Sequence, residues 1–201
     1  LSAASWERPW EARNAGAEFE RAHLRGARFF DFDGALADTA SELPHMLPDP
    51  QKFEVGLRAL GICATDRVVV YDGAGVFSSP RAWWMLRAAG HDAVAVLDGG
   101  LPAWRAAGHP IETGPARPVA AGDIVVTPAD DWTADSARVC AAPAEEARVV
   151  IDARPAARPE GPAPDPRPGL RAGHMLGARN LPAATLFVHS ALPPAPAVAV
   201  R

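Results

Sequence analysis

A glycine-rich loop between a predicted strand and a predicted helix is the segment of this 201-residue chain best suited to chemistry. The apolar run Arg67–Tyr71 leads into Asp72-Gly-Ala-Gly-Val-Phe-Ser-Ser79, and Pro80 suits the first turn of a following helix, with Ser78 or Ser79 as its N-cap. Such a loop directs several backbone N–H groups and the positive end of the helix dipole at one point, which favours an anion. The loop contains no cysteine, and no histidine lies nearby in the sequence to activate a serine. We therefore predict that the loop itself is not nucleophilic.

A dinucleotide-binding turn is an alternative interpretation of the same loop. Gly73 and Gly75 are spaced as G-x-G, and Asp98 follows Gly75 by 23 residues at the end of the next predicted strand. Ser78 replaces the third glycine of that pattern. An incomplete glycine pattern is a weak signal for a dinucleotide.

The two cysteines are predicted to be structural. Cys63 precedes a predicted turn, and Cys140 lies in an alanine-rich stretch predicted to be helical, so both are expected to be small buried apolar groups. They are too few and too far apart for a disulfide framework, which favours a reducing compartment. With no signal-peptide pattern in the sequence, we predict a cytoplasmic location.

Composition argues against several classes of function. The net charge is −4, with no basic footprint for nucleic acid, and no apolar run approaches the ~18 residues of a membrane span. No His, Cys or carboxylate spacing is typical of a metal site, and no cofactor is predicted. We expect a globular protein, 48% hydrophobic, that binds neither nucleic acid nor membrane.

The elements around the loop predict an α/β fold with a parallel sheet flanked by helices. A helix is predicted over 15–22, a strand over 27–30, a helix from Asp49-Pro50 to Gly61 and a strand over 93–97. Strand, loop, helix and next strand form a βαβ unit. We predict a first domain at 1–113, a linker rich in proline and glycine at 114–127, and a partial second domain at 128–201, with a buried strand over 148–152.

An internal repeat supports the second domain. His23-Leu-Arg-Gly-Ala-Arg-Phe-Phe30 matches His174-Met-Leu-Gly-Ala-Arg-Asn-Leu181. A repeat of this length indicates two copies of one fold. At the same spacing, the counterpart of Tyr71 is expected about twenty residues past Arg201. We therefore predict a truncated chain, with the second copy cut before its own strand, loop and helix.

These segments resemble a known family. The first half is similar to the N-terminal half of tandem rhodanese-domain sulfurtransferases of the thiosulfate or 3-mercaptopyruvate type, and the second half resembles the opening of their C-terminal domain. The segments that show the resemblance are Ala17–Asp33, Leu43–Pro48, Val68–Gly75, Val96–Trp104, Val150–Arg154, Pro164–Leu170 and Gly173–Pro182. The resemblance implies a rhodanese-like first domain that is not catalytic and the start of a second copy.

The resemblance also implies a mechanism. A cysteine of the C-terminal domain attacks the sulfane sulfur of a small anionic donor, becomes a persulfide, and passes the sulfur to cyanide or to a small-molecule or protein thiol. Backbone N–H groups at a helix N-terminus stabilise the thiolate that this chemistry needs. The cysteine is expected beyond residue 201, so the chain alone is expected to be inactive.

The resemblance assigns two pairs of site residues. Arg158 and Arg167 match the arginines that hold the substrate carboxylate and carbonyl, a task that suits the guanidinium fork; the alternative is a solvated proline-rich loop. Asp33 and His45 match an acid and a histidine that act in activating mercaptopyruvate, where the carboxylate would orient the imidazole. The alternative for His45 is an ordered loop residue bonded to backbone. A second hypothesis for the protein is a non-catalytic module that binds anions or a partner through the loop.

Overall fold

The computed structural model describes residues 14–43, 45–145, 148–155 and 173–187. The chain divides into two compact units, Leu1–Trp132 and Thr133–Arg201. In the described part of the chain, no helix is long and apolar enough to cross a membrane.

The first unit alternates helices and short strands. Its helices are α1 (Ala15–Arg21), α2 (Pro50–Ala59), α3 (Ser79–Ala88) and α4 (Gly100–Ala106), and its strands are β1 (His23–Leu24), β2 (Val68–Val70), β3 (Val94–Val96) and β4 (Ile111–Glu112). The predicted helices agree with these bounds to within about two residues, which is the ordinary uncertainty of helix ends. The order confirms the predicted α/β class.

Polar caps set the starts of the first two helices. The Asn14 side chain accepts a hydrogen bond from the backbone N–H of Ala17 at 2.9 Å, at the start of α1. Asp49 does the same for the N–H of Lys52 at 2.9 Å, with Pro50 as the first residue of α2. Both caps satisfy donors that a helix N-terminus leaves open.

The predicted βαβ unit is present. β2 and β3 are parallel, with Val68 opposite Val94, and α3 connects them. A second pair, β1 with β4, is antiparallel. The strand predicted over 27–30 was wrong as far as the described residues go, because this segment joins no ladder there. Its apolar pattern comes instead from side-chain packing, since Phe30 lies against the core.

The core of the first unit lies between α2, α3 and the β2–β3 pair. Its most deeply buried side chains are Leu57, Val76, Met85 and Leu86. Apolar burial of this kind contributes on the order of 2 kcal/mol per large side chain. The core therefore fixes α3, and with it the loop that precedes α3.

The segment predicted as a linker, 114–127, follows the surface of the first unit. Ile124 is buried in the core, and its N–H donates to the carbonyl of Ile62 at 3.3 Å. The N–H of Thr127 donates to the carbonyl of Ala89 at 2.9 Å. The division between the two compact units falls after Trp132, and the domain boundaries at 113 and 128 stay a prediction.

The second unit contains helix α5 (Ser136–Ala141), strand β5 (Ile151–Asp152) and strand β6 (Arg179–Asn180). β5 and β6 are parallel, with Ile151 opposite Arg179. The buried strand predicted over 148–152 is shorter than expected, and Ile151 is 46% exposed. Only Asp152 of this strand is buried, because its carboxylate is engaged by Arg154.

Candidate functional site

The loop Asp72–Ser79 is organised around the carboxylate of its own first residue. Oδ2 of Asp72 accepts hydrogen bonds from the backbone N–H groups of Phe77 at 2.8 Å and of Ser78 and Ser79 at 2.9 Å. Oδ1 accepts a fourth from the N–H of Ala74 at 2.8 Å. Asp72 is 8% exposed. The predicted anion cradle exists, and an anion of the chain already fills it.

Asp72 also replaces the serines as the cap of α3. Ser78 stands at the N-cap position as predicted, but its hydroxyl makes no capping bond, and the Ser79 hydroxyl is buried without a partner in the structure. The prediction of serine side-chain caps was therefore wrong. The carboxylate accepts from the N–H groups of both serines, and Pro80 has no N–H, so the donors at the helix start are satisfied by the first residue of the loop.

The opposite side of the loop is held by α4. The N–H of Leu101 donates to the carbonyl of Asp72 at 3.0 Å. Gly100 has φ +53°, and a Cβ there would overlap the carbonyl oxygens of Gly75 and Asp72. Glycine is thus required where α4 meets the loop. The loop is thus bonded to α4 on one side and to its own carboxylate on the other.

The dinucleotide interpretation finds no support in this geometry. Phosphate binding at such a turn needs free N–H groups at the helix start. The N–H groups of Phe77, Ser78 and Ser79 are already bonded to Asp72.

The structure brings Asp33 and His45 together. Nδ1 of His45 lies in hydrogen-bond contact with Oδ1 of Asp33, and the two side chains are 57% and 58% exposed. The ring of Phe32 meets the imidazole edge to face at 6.1 Å. Because Nδ1 is engaged by the carboxylate, Nε2 is the ring nitrogen available to another molecule.

The backbone of His45 is held in an uncommon conformation. Its φ is +59°, in the left-handed region that only glycine adopts freely. Nη2 of Arg81, from α3, donates to the carbonyl of His45 at 2.6 Å. On the far side, the N–H of Asp38 donates to the carbonyl of Met46 at 3.0 Å. The sequence analysis did not identify Arg81, because its contact joins residues that are 36 positions apart.

One cavity of the first unit borders both the Asp72–Ser79 loop and Asp33. It has a volume of about 420 Å³, and the described residues in its wall include Asp33 together with Asp72, Gly73, Ser78 and Ser79. The acid of the predicted pair and the loop thus border the same space.

The remaining predicted site residues lie elsewhere. Arg158 and Arg167 fall outside the described residues. The N–H of Cys63 donates to Asp66 at 2.7 Å, within a turn. Cys140 lies on α5 as predicted, but it is exposed, so the expectation that it is buried was wrong. Within the described ranges, no group of three or more His, Cys, Asp or Glu side chains is placed to hold a metal ion.

The second unit contains another buried carboxylate. Asp152 forms a two-pronged contact with Arg154, whose Nη2 lies 2.6 Å from Oδ2 and whose Nε lies 3.0 Å from Oδ1. The hydrogen bonds from Arg154 hold the pKa of Asp152 below its usual value. Nη2 of Arg154 also donates to the carbonyl of Gly173 at 2.8 Å, so this carboxylate organises the chain entry to β6.

Comparison with known proteins gives consistent relatives. Residues 8–107 match the rhodanese-like domain. The chain is 41% identical to thiosulfate/3-mercaptopyruvate sulfurtransferase 1, mitochondrial, of Arabidopsis thaliana, over 92% of this chain and 54% of the relative. It is 42% identical to 3-mercaptopyruvate sulfurtransferase of Escherichia coli (strain K12), over 86% of this chain and 60% of the relative. The chain thus spans a little over half the length of these curated relatives.

Solved structures agree on the fold. The crystal structure of SseA, a 3-mercaptopyruvate sulfotransferase from Escherichia coli, superposes with a TM-score of 0.81 at 38% identity, over 92% of this chain and 69% of that chain. The Tum1 protein of Saccharomyces cerevisiae gives a TM-score of 0.80 at 26% identity, over 96% of this chain and 65% of that chain. With the α/β order and the loop geometry described above, these similarities show that the chain belongs to the rhodanese-domain sulfurtransferase family.

Proposed function

We propose that the whole protein takes sulfur from 3-mercaptopyruvate or thiosulfate and passes it, as the sulfane sulfur of a cysteine persulfide, to a thiol or cyanide. The observation that supports this most directly is the similarity, across most of this chain, to a relative named for both donors at 41% identity and to one named for 3-mercaptopyruvate at 42% identity. The activity is proposed for a tandem protein of which this chain is the front portion. Its expected partners are a small anionic sulfur donor and a thiol acceptor, and its proposed location is the cytoplasm.

We propose that the nucleophile is a cysteine after Arg201. Cys63 sits in a turn bonded to Asp66, and Cys140 is on a helix of six residues in the second unit. The cradle of the first unit has Asp72 where a thiolate would be stabilised. None of these sites combines a thiol with converging N–H groups, so the chain alone is proposed to be inactive.

The chemistry balances without an added oxidant. The cysteine thiolate attacks the sulfur of 3-mercaptopyruvate, the carbon–sulfur bond breaks, and its electron pair leaves on the carbon as the enolate of pyruvate, which takes up a proton. Cyanide or a thiol then attacks the outer persulfide sulfur and releases the cysteine thiolate. With thiosulfate as donor, the sulfur–sulfur bond breaks and sulfite departs.

His45 is proposed to serve the proton step. Asp33 holds Nδ1, which leaves the exposed Nε2 to give or take a proton at the substrate. Arg158 and Arg167 are proposed to hold the donor carboxylate and carbonyl with bidentate hydrogen bonds.

The alternative of an anion-binding module is less well supported. An added anion at the loop would have to displace the Asp72 carboxylate, which already accepts four backbone hydrogen bonds. We retain partner binding as the second candidate only through surfaces other than this loop.

Thiocyanate formation tests the proposal. The 201-residue chain and the protein extended past Arg201 are incubated with cyanide and either donor. We expect thiocyanate only from the extended protein, with a persulfide trapped on one cysteine after Arg201, and no loss in a Cys63→Ser, Cys140→Ser double variant. Turnover by the 201-residue chain that disappears in the double variant would place the nucleophile here and refute the proposal. An inactive extended protein without a persulfide would favour the non-catalytic alternative.

A further inference from the structure

We propose that Arg81 is a positioning residue that holds His45 in the conformation in which its imidazole meets Asp33. The inference rests on the proposed function for the catalytic importance of His45, and on the geometry alone for the contact itself.

The contact acts on a strained backbone position. A non-glycine residue with φ near +60° costs about 1 kcal/mol or more and persists only where its surroundings hold it. His45 has φ +59°, and its carbonyl accepts a 2.6 Å hydrogen bond from Nη2 of Arg81. Hydrogen bonds from a charged donor are stronger than neutral ones. Arg81 therefore supplies an interaction large enough to hold this conformation.

The guanidinium is itself fixed by an aromatic ring. Cζ of Arg81 lies 4.5 Å from the ring centroid of Trp84, within the range of a cation–π contact. Nε1 of Trp84 donates to the carbonyl of Trp132 at 3.1 Å, which fixes the ring. The chain of contacts runs from Trp132 through Trp84 and Arg81 to His45.

The environment of Arg81 is costly for a residue that only supports the fold. Burial lowers its pKa, and among the described residues its Nε, like that of Arg87, is buried without a hydrogen-bond partner. Among the described residues, no carboxylate lies within ion-pair distance of it. Its charge is directed at one carbonyl, that of His45.

Arg87 provides a matched comparison on the same helix. It forms an ion pair with Asp92 at 3.0 Å and stacks near Trp83 at 5.8 Å and Trp132 at 5.2 Å. It has a carboxylate partner, and among the described residues its hydrogen bonds, ion pair and ring contacts do not involve the His45 segment. Arg87→Met therefore removes an arginine and its aromatic contacts. It has no contact with His45, and it leaves in place the hydrogen bond from Trp84 to Trp132, which is accepted by the backbone carbonyl and not by the ring that Arg87 contacts.

The imidazole tautomer tests the proposal directly. Two-bond and three-bond ¹H–¹⁵N NMR spectra at alkaline pH distinguish a proton on Nδ1 from one on Nε2. Asp33 accepts from Nδ1–H, so we expect the Nδ1–H form to predominate in the protein and Asp33→Asn to abolish that preference. In Arg81→Met we expect the Nδ1–H fraction to fall by about half, because an unheld His45 leaves Asp33 part of the time.

The controls separate positioning from general stability. Arg81→Lys keeps a donor for the His45 carbonyl and should recover most of the Nδ1–H fraction, whereas Arg87→Met should leave it unchanged. If Arg81→Met does not fold, Arg81→Gln is used, since its amide is too short to reach the carbonyl. An unchanged Nδ1–H fraction in the Arg81 variants, or an equal loss in Arg87→Met, would overturn the proposal.

Kinetics of the extended protein distinguish this inference from the proposed function. We expect Arg81→Met to lower kcat with 3-mercaptopyruvate about tenfold, with KM changed less than about twofold. If Asp33→Asn leaves kcat unchanged, the catalytic role of the pair is wrong, yet the tautomer measurement still decides whether Arg81 positions His45. If Asp33→Asn lowers kcat and Arg81→Met does not, the positioning role is refuted.

Discussion

Two aspartates of the first unit show how differently one side chain can be used. Asp72 is buried and accepts four backbone hydrogen bonds within the loop that follows it. Asp33 is 58% exposed and contacts the similarly exposed His45. Both border the same cavity. Asp72 is committed to the fold, and Asp33 is available for chemistry.

The difference shows what occupies the centre of this loop. A turn that gathers N–H groups stabilises whatever negative charge lies at its centre. Here that charge belongs to the chain, so the loop has a structural purpose. Among the described residues the exposed pair makes no comparable set of backbone hydrogen bonds, and His45 has φ +59°, a strained conformation of the kind that clusters at functional sites.

Removal of the Asp72 carboxylate should give the largest effect on stability. Asp72→Ala leaves the N–H groups of Ala74, Phe77, Ser78 and Ser79 without their acceptor. We expect the free energy of unfolding to fall by about 2–4 kcal/mol. Urea denaturation followed by tryptophan fluorescence measures it, because Trp83 and Trp84 lie on the helix that Asp72 caps.

Asp72→Asn is the matched control for that measurement. The amide oxygen can still accept from the start of α3, so the loss should be smaller than for alanine. Equal losses in both variants would mean that the charge, and not the number of acceptors, determines the stability. A loss below about 0.5 kcal/mol in both variants would show that Asp72 contributes little to stability, and the two aspartates would then not differ in this respect.

Gly100→Ala should cause the next largest loss of stability. The new Cβ would overlap the carbonyls of Gly75 and Asp72 at a left-handed position, so we expect a loss of about 2 kcal/mol. Gly73→Ala is the control in the same loop, since nothing lies within 4 Å of its Cβ position. Thermal unfolding of the two variants side by side checks the prediction, and equal Tm values would show that α4 does not hold the loop.

In the second unit, Asp152 is a buried carboxylate whose contribution to stability should depend on pH. Its pKa is lowered in the folded protein, chiefly by the hydrogen bonds from Arg154. Its stabilising contribution is therefore complete above the unfolded pKa of about 4 and is lost as the pH falls through the lower folded value. The Leu181 amide donates to the carbonyl of Asp152 at 2.9 Å, so its hydrogen exchange measures this contribution.

We expect protection of the Leu181 amide to fall on acidification below about pH 4 in the native protein, with a weaker dependence in Asp152→Asn. The same pH profile in both would show that Arg154 does not depress this pKa.

The sequence predicted elements better than it predicted partners. The helix that begins at Pro50 and the parallel β2–β3 pair could be predicted from the sequence. The signals were helix-capping residues, the position of proline and the periodicity of apolar residues, and all of these are local. Segment 27–30 has the same apolar character but pairs with no strand among the described residues, because apolar side chains pack against a core whether or not their backbone belongs to a sheet.

The candidate site was predictable only in part. The pairing of Asp33 with His45 followed from a resemblance, whereas the capping role of Asp72 and the contact of Arg81 with His45 depend on distances in space. Serine next to proline is a local signal for a cap, and it misled because a carboxylate seven residues away took the donors first.

The smallest expected effect on stability is that of Asp33→Asn. The pair is exposed, and exposed ion pairs contribute little, so we expect the free energy of unfolding to change by less than about 0.5 kcal/mol. In the extended protein the same variant should lower kcat with 3-mercaptopyruvate by about 10–100-fold, because an amide can donate to Nδ1 as well as accept from it and so no longer fixes the Nδ1–H tautomer. Urea denaturation and thiocyanate formation measured on one preparation check both halves. A large loss of stability would show that Asp33 is a structural residue like Asp72. An unchanged kcat would show that the Asp33–His45 pair has no catalytic role, and the contrast between the two aspartates would then not hold.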